Sequence, residues 1–246
     1  MDVATFALAA ACVFIGGAVK GVAALGLPLV AIPLLTLVVG LKTAVALMAL
    51  PLIGSNLIQS LQGGAMLPML RRLWVLAGSV FVCTMLGTQL LVAVPLHLLE
   101  GCIGVALIVL PIYLHFRPEV RLAARHRAWS DPAMGIFAGF FGGISALYGP
   151  PLMLYVLGMR LPKDEFVVAI SLLYWIAGLG LFLGVYGLGV ANFTLLGLSA
   201  AMLVPVALGL WLGQLVQVKL SETRFRQVLM AVYLATGASF LIQAFL

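Results

Sequence analysis

"AVKGVAALGLPLVAIP", Ala18 to Pro33, is apolar at every position except Lys20. It lies within an apolar run over 3–39, about 37 residues, whereas about 20 helical residues cross the roughly 30 Å of hydrocarbon in a bilayer. Gly26 and Pro28 interrupt that run near its middle. Gly frees the backbone and Pro is favoured in the first turn of a new helix. The stretch therefore reads as a helix that breaks inside the membrane and starts again, with one ammonium group beside the break.

Composition sets the class. Of 246 residues, 64% are hydrophobic and 8% charged, and the mean hydropathy is +1.24. A soluble domain carries roughly 25% charged residues, so this chain lacks the polar surface to face water and is an integral membrane protein of one membrane domain. No extramembrane domain, long linker or low-complexity segment is visible, and no basic n-region marks a cleavable signal peptide. Cys12, Cys83 and Cys102 lie singly in apolar runs and read as small buried hydrophobes. The net charge of +6 is dispersed over loops, which fits topology determinants and not a nucleic-acid patch.

Eight apolar segments follow along the chain: 3–39, 43–61, 73–94, 99–116, 132–159, 164–186, 192–217 and 225–245. The first and fifth are too long for one crossing and both are broken by Gly and Pro, the pattern of a discontinuous helix or re-entrant hairpin. These two also match each other. "GAVKGVAALGLPL" from Gly17 aligns with "GFFGGISALYGPP" from Gly139, placing Gly21 on Gly143, Ala24 on Ala146, Leu25 on Leu147 and Pro28 on Pro150. "GTQLLVAVPLHLLE" from Gly87 aligns more loosely with "GQLVQVKLSETRFR" from Gly213. The expected fold is an all-α polytopic membrane protein of two inverted repeats, each a broken helix or hairpin followed by three transmembrane helices. Residues 1–116 form the first repeat, 117–131 a basic linker and 132–246 the second repeat.

Loop charges orient it. "HFRPEVRLAARHRAWSD", His115 to Asp131, carries four arginines and is placed in the cytoplasm. Counting backward puts Pro95–Leu99 outside and Arg71 and Arg72 inside. If segment five enters and returns, Arg160, Lys163, Lys219, Arg224 and Arg226 also fall inside, and the uncharged loop near Gly187–Ala191 falls outside. The positive-inside rule thus favours the hairpin, inverts the second half and leaves both termini outside.

Lys20 is the one charged residue deep in an apolar segment. The acidic residues Asp2, Glu100, Glu119, Asp131, Asp164, Glu165 and Glu222 all lie at termini, loops or segment edges. An ammonium at depth costs at least about 2.5–3.5 kcal/mol unless it reaches water or a partner. Either it snorkels, or it faces an aqueous cavity and attracts an anion. The breaks at Gly26–Pro28 and Gly149–Pro150 would each start a helix whose N-terminal N–H groups and dipole favour an oxyanion. Two such ends related by a pseudo-two-fold make an anion site. The expected substrate-binding residues are Lys20, Gly21, Gly26, Pro28, Gly143, Gly149 and Pro150. Asn56 and Gln59 join them as a polar strip near Ser55, and Ser145 and Tyr148 as donors near the second break. Gly17, Gly21, Gly139 and Gly143 are also suited to close helix packing. Thr84, Thr88 and Gln89 form a weaker polar group, Gln214 reads as packing, and Trp74, Trp129 and Tyr186 read as interface anchors.

The pairing of "KGVAALGLPLVAIPLL" with "GFFGGISALYGPPLMLYVL" resembles the sulfite exporter TauE/SafE family over nearly the whole chain. Its Lys-Gly matches Lys20-Gly21, and its Gly-Pro-Pro matches Gly149-Pro150-Pro151. Ala146 and Tyr148 depart from it, standing where members often carry smaller or glycine residues. The resemblance implies a small multi-pass protein of the bacterial inner membrane, of duplicated origin. It would export sulfite, an organosulfonate such as sulfoacetate, or a related small anion. Other small anions and the uptake direction stay open as alternatives, as does a homodimer.

Other classes fit less well. "GISAL" at Gly143–Leu147 superficially resembles a serine nucleophile site, but His97, His115 and His126 lie in loops or at a span edge, away from Ser145. No metal-binding pair lies within the spans, and no catalytic residue, metal or cofactor is expected. A cation carrier would normally show an intramembrane carboxylate. The expected mechanism is alternating access around the two hairpin tips. A negative-inside potential would favour anion exit by about 2.3 kcal/mol per charge per 100 mV.

Overall fold

The computed structural model describes residues 1–23, 26–62, 64–116, 127–187, 189, 191–217 and 222–245. The helices are α1 (Val3–Ala23), α2 (Leu27–Val39), α3 (Leu41–Gln62), α4 (Met66–Ala93), α5 (Leu96–Phe116) and α6 (Arg127–Ser145). They continue as α7 (Gly149–Gly158), α8 (Lys163–Phe182, extended by a π-turn at Leu183–Gly187), α9 (Phe193–Ala201), α10 (Leu203–Gln217) and α11 (Glu222–Phe245). Five stretches are long and apolar enough to cross a membrane: Val3–Val22, Leu41–Leu61, Met66–Ala93, Asp164–Gly187 and Phe193–Leu215. Asp2 begins α1, its Oδ1 accepting the Thr5 N–H at 2.9 Å, and these Thr5 contacts hold its carboxyl below the usual carboxylate range.

Both overlong segments are broken. α2 turns back on α1: a Cβ at Gly16 would lie 2.8 Å from the Leu27 carbonyl oxygen and 2.8 Å from the Ala31 Cβ. α7 turns back on α6, with Tyr148 against Gly142 and Tyr155 near Ser130 and Asp131. The arms are unequal. At about 1.5 Å per residue, the 13 residues of α2 and 10 of α7 reach only about 20 and 15 Å. Neither short arm can cross hydrocarbon.

Glycine seams join the long helices. A Cβ at Gly17 would sit 2.7 Å from the Val206 carbonyl oxygen, Gly21 abuts Leu210 and Gly213, and Gly209 abuts Phe14. Residue numbers rise together along this seam, so α1 and α10 run parallel. The seam of α4 with α6 repeats the design: Gly135 meets Leu76, Gly139 meets Val80 and Cys83, and Gly143 meets Thr84 and Gly87. These two helices are also parallel. In the third seam Gly101 faces Ala244 while Gly104 faces Gly237 and Leu241, so α5 and α11 are antiparallel. With no side chain between them, backbones approach closely and gain dispersion contacts, which hold helices together where lipid offers no hydrophobic drive. Exposed Leu8, Ile15, Leu37, Trp74, Val105, Phe137 and Trp211 lie on the outside, as a lipid-facing surface requires.

Two mid-helix prolines are accommodated by their neighbours. Pro33 lacks the N–H that would serve the Leu29 carbonyl, and the Thr236 hydroxyl of α11 donates to that oxygen at 3.1 Å. Pro51 likewise frees the Leu47 carbonyl, which accepts from the Ser199 hydroxyl of α9 at 2.9 Å. The Leu50 N–H donates to the same Ser199 Oγ at 3.2 Å, and the Tyr186 hydroxyl donates to the Ala46 carbonyl at 2.9 Å. Tyr186, read from the sequence as an interface anchor, thus serves the broken backbone of α3. The segment 192–217 forms one candidate span, Phe193–Leu215, as read, its helix interrupted at Met202 between α9 and α10, where Pro205 cannot donate to the preceding turn.

α6 begins at Arg127, while residues 117–126 of the expected linker and Lys219 lie outside the described residues. Arg127 pairs with Asp131 at 3.1 Å and donates to the Arg72 carbonyl at 3.0 Å. Asp131 accepts from Tyr155 of α7, whose hydroxyl also meets Ser130 Oγ at 2.7 Å. Arg72 reaches Glu165 of α8 at 3.4 Å. One polar cluster therefore ties α4, α6, α7 and α8 together.

Replacing Ser199 with Ala leaves the Leu47 carbonyl and Leu50 N–H without that partner. The expected loss is about 1–3 kcal/mol, read as a fall in the melting temperature of detergent-purified protein. An unchanged melting temperature would show that the α3 backbone finds its partners elsewhere.

Candidate functional site

The two breaks differ in how the backbone turns. Gly26 takes the left-handed conformation (φ +97°) immediately before α2, with Pro28 in the first turn. In the second break the left-handed residue is Ala146 (φ +57°), whereas Gly149 was expected to supply that freedom. Gly149 serves a different need: a Cβ there would lie 2.9 Å from the Tyr174 hydroxyl. Ser145 shapes this turn, donating to the Phe141 carbonyl at 2.6 Å and accepting the Leu147 N–H at 3.0 Å. It is fully buried and its oxygen is engaged by backbone.

The tips of the two hairpins meet at one cavity. Gly26, Pro28 and Leu29 line it from the first hairpin, and Leu147, Gly149, Pro150 and Met153 from the second. Tyr174 of α8 and Tyr233 of α11 complete the wall. Both short helices point their N-terminal ends at the cavity, so both dipoles present positive potential there. Amide donors are few, because Pro28, Pro150 and Pro151 have none. Leu27, Leu29 and Gly149 carry the N–H groups of the first turns. The cavity measures about 10 Å³, room for roughly one water.

Lys20 does not line it. The side chain is 3% exposed and its Nζ donates to Ser55 Oγ at 3.1 Å and Asn56 Oδ1 at 2.5 Å, both on α3. Asn56 is oriented for this by its own Nδ2, which donates to the Leu52 carbonyl at 2.8 Å. Among the described residues no carboxylate pairs with the ammonium. Lys20 stands in the last turn of α1, where a cation offsets the negative end of that helix. The N-terminal end of α2 follows just beyond, after the left-handed turn at Gly26.

The remaining expected residues divide. Gly21 and Gly143 sit in the α1–α10 and α4–α6 seams, away from the cavity wall. Gln59 lies one turn beyond Ser55 and Asn56 on α3 and is half-buried. Tyr148 is fully buried, its ring edge-on to Tyr174 with centroids 5.2 Å apart. The Tyr148 hydroxyl has no partner among the described residues, yet the ring does not reach the cavity wall. Tyr174 and Tyr233 were missed, since each sits in a segment that reads as an ordinary span. The available signal was a hydroxyl-bearing aromatic in mid-span, away from the interface where tyrosine usually settles.

The sulfite exporter TauE/SafE family matches residues 8–240, and the chain belongs to it. It is therefore a multi-pass membrane transporter and not an enzyme. No curated protein and no solved structure matches the chain.

Asn56→Leu removes one acceptor from a buried ammonium and is expected to cost about 1.5–3 kcal/mol, the range for hydrogen bonds to charged groups. Lys20→Met in the same chain removes the stranded charge, so the double variant should melt closer to wild type than Asn56→Leu alone. Additive losses in that cycle would mean that the two side chains do not interact.

Proposed function

We propose that the protein exports small sulfur-containing oxyanions, sulfite or an organosulfonate such as sulfoacetate, across the bacterial inner membrane. The observation that carries this reading is the convergence of two opposed helix N-termini, at Gly26–Pro28 and Gly149–Pro150, on one cavity. Such ends favour oxyanions through dipole and amide together. Among the described residues the cavity wall carries no charged side chain, which suits a carrier. A site must bind strongly enough to admit its ion and weakly enough to release it. Lys20, held by Ser55 and Asn56, sets the local potential from one turn away without gripping the substrate.

Transport proceeds by alternating access. A sulfur oxyanion with three oxygens needs more room than one water, so the tips must part to admit it, and this conformation is a contracted one. The two halves are inverted repeats with both termini periplasmic. Supporting this, α1 packs on α10 as α6 packs on α4, each pair parallel, while α5 and α11 meet antiparallel across the halves. The distribution of Lys and Arg supports the orientation.

The test is flux into liposomes holding purified protein, with sulfite, sulfate, sulfoacetate and thiosulfate as the panel. Sulfur oxyanions should move and cations should not, and a negative potential on the side of origin should speed exit. Lys20→Met should insert normally and lose most of the flux. Unchanged flux would remove Lys20 from the mechanism, and movement of none of the panel would sink the reading. Gly149→Ala should also lower flux several-fold, because the added methyl enters the cavity 2.9 Å from the Tyr174 hydroxyl.

A further inference from the structure

The cavity wall contains a hydroxyl that the protein itself does not use. Tyr174 is 4% exposed and lines the cavity, and its oxygen lies at the N-terminal end of α7 beside Gly149. None of the hydrogen bonds among the described residues engages it. A phenol oxygen that opens onto a cavity of positive potential is placed to donate to a ligand acceptor. Its ring is fixed from behind by Tyr148, and Gly149 is the one residue type that leaves space for the oxygen.

We infer that Tyr174 is the side-chain donor that reads a substrate oxygen. The inference rests on the anion-export reading and assigns the role expected of Tyr148 to its neighbour. The two helix ends attract negative charge without regard to its shape, since a dipole acts on any anion. Scarce N–H groups give little directional control, because prolines occupy the first turns at Pro28, Pro150 and Pro151. A phenol O–H held at one angle adds that direction. It favours anions carrying several oxygens over spherical halides. Tyr233, facing the same cavity from α11, is placed to meet a second oxygen.

The test compares wild type with Tyr174→Phe and Tyr148→Phe in liposomes, reading inhibition of labelled sulfite flux by unlabelled sulfite, thiosulfate and chloride. Tyr174→Phe keeps the ring and removes only the donor. It should weaken sulfite and thiosulfate by about tenfold or more, the scale of one hydrogen bond to a charged group, and leave chloride inhibition where it was. A second readout needs no variant: adding sulfoacetate to wild type should produce a tyrosine absorbance difference that saturates with occupancy. Equal sulfite affinity in wild type and Tyr174→Phe, a loss confined to Tyr148→Phe, or no difference spectrum at saturating sulfoacetate would each overturn the assignment while leaving export intact. Wild-type protein that moves no sulfur oxyanion would overturn export itself, and this inference with it.

Discussion

Neither lipid nor a packed helical interior supplies water to a backbone N–H or C=O, and each one left alone there costs several kcal/mol. The whole architecture follows from where this chain obeys that constraint and where it breaks it. Helices satisfy their own amides, so nearly everything described is helical. Where Pro33 and Pro51 remove a donor, Thr236 and Ser199 reach across from other helices to the freed carbonyls. At the hairpin tips each short helix starts afresh with its first-turn N–H groups, and the tips are brought to one cavity.

Close packing decides which parts can move. The long arm of the first hairpin is bound by a glycine seam to α10, and the long arm of the second to α4. Each seam links a helix from one half of the chain to a helix from the other, so the halves interlock. On the proposed alternating-access mechanism, opening of the cavity would fall to the short arms α2 and α7, or to the paired long helices moving as units. The polar cluster of Arg72, Arg127, Asp131 and Tyr155 bears on this too, because it fastens α7 to α6 and α6 to α4 at one end of the second hairpin.

Lys20 illustrates how a charge acts from behind a site. Bonded to Ser55 and Asn56, it is not positioned to wrap a substrate, yet it lies one turn from the break and beside the negative end of α1. The second tip has no such cation in the last turn of α6; the polar side chain beside Gly149 there is the phenol of Tyr174.

The membrane class, the two broken segments, the prolines that restart each helix and the glycines that form the seams are legible from the residues alone, because each depends on residue type and local spacing. Family membership was legible for the same reason, in the two glycine-proline motifs. Tertiary structure alone decided that Lys20 turns to α3, that Ala146 rather than Gly149 takes the left-handed turn, and that Tyr174 and Tyr233 wall the cavity. Those outcomes depend on which helices meet. A side chain's neighbours across a bundle are set by crossings between segments far apart in the chain, and no local pattern of residues records them.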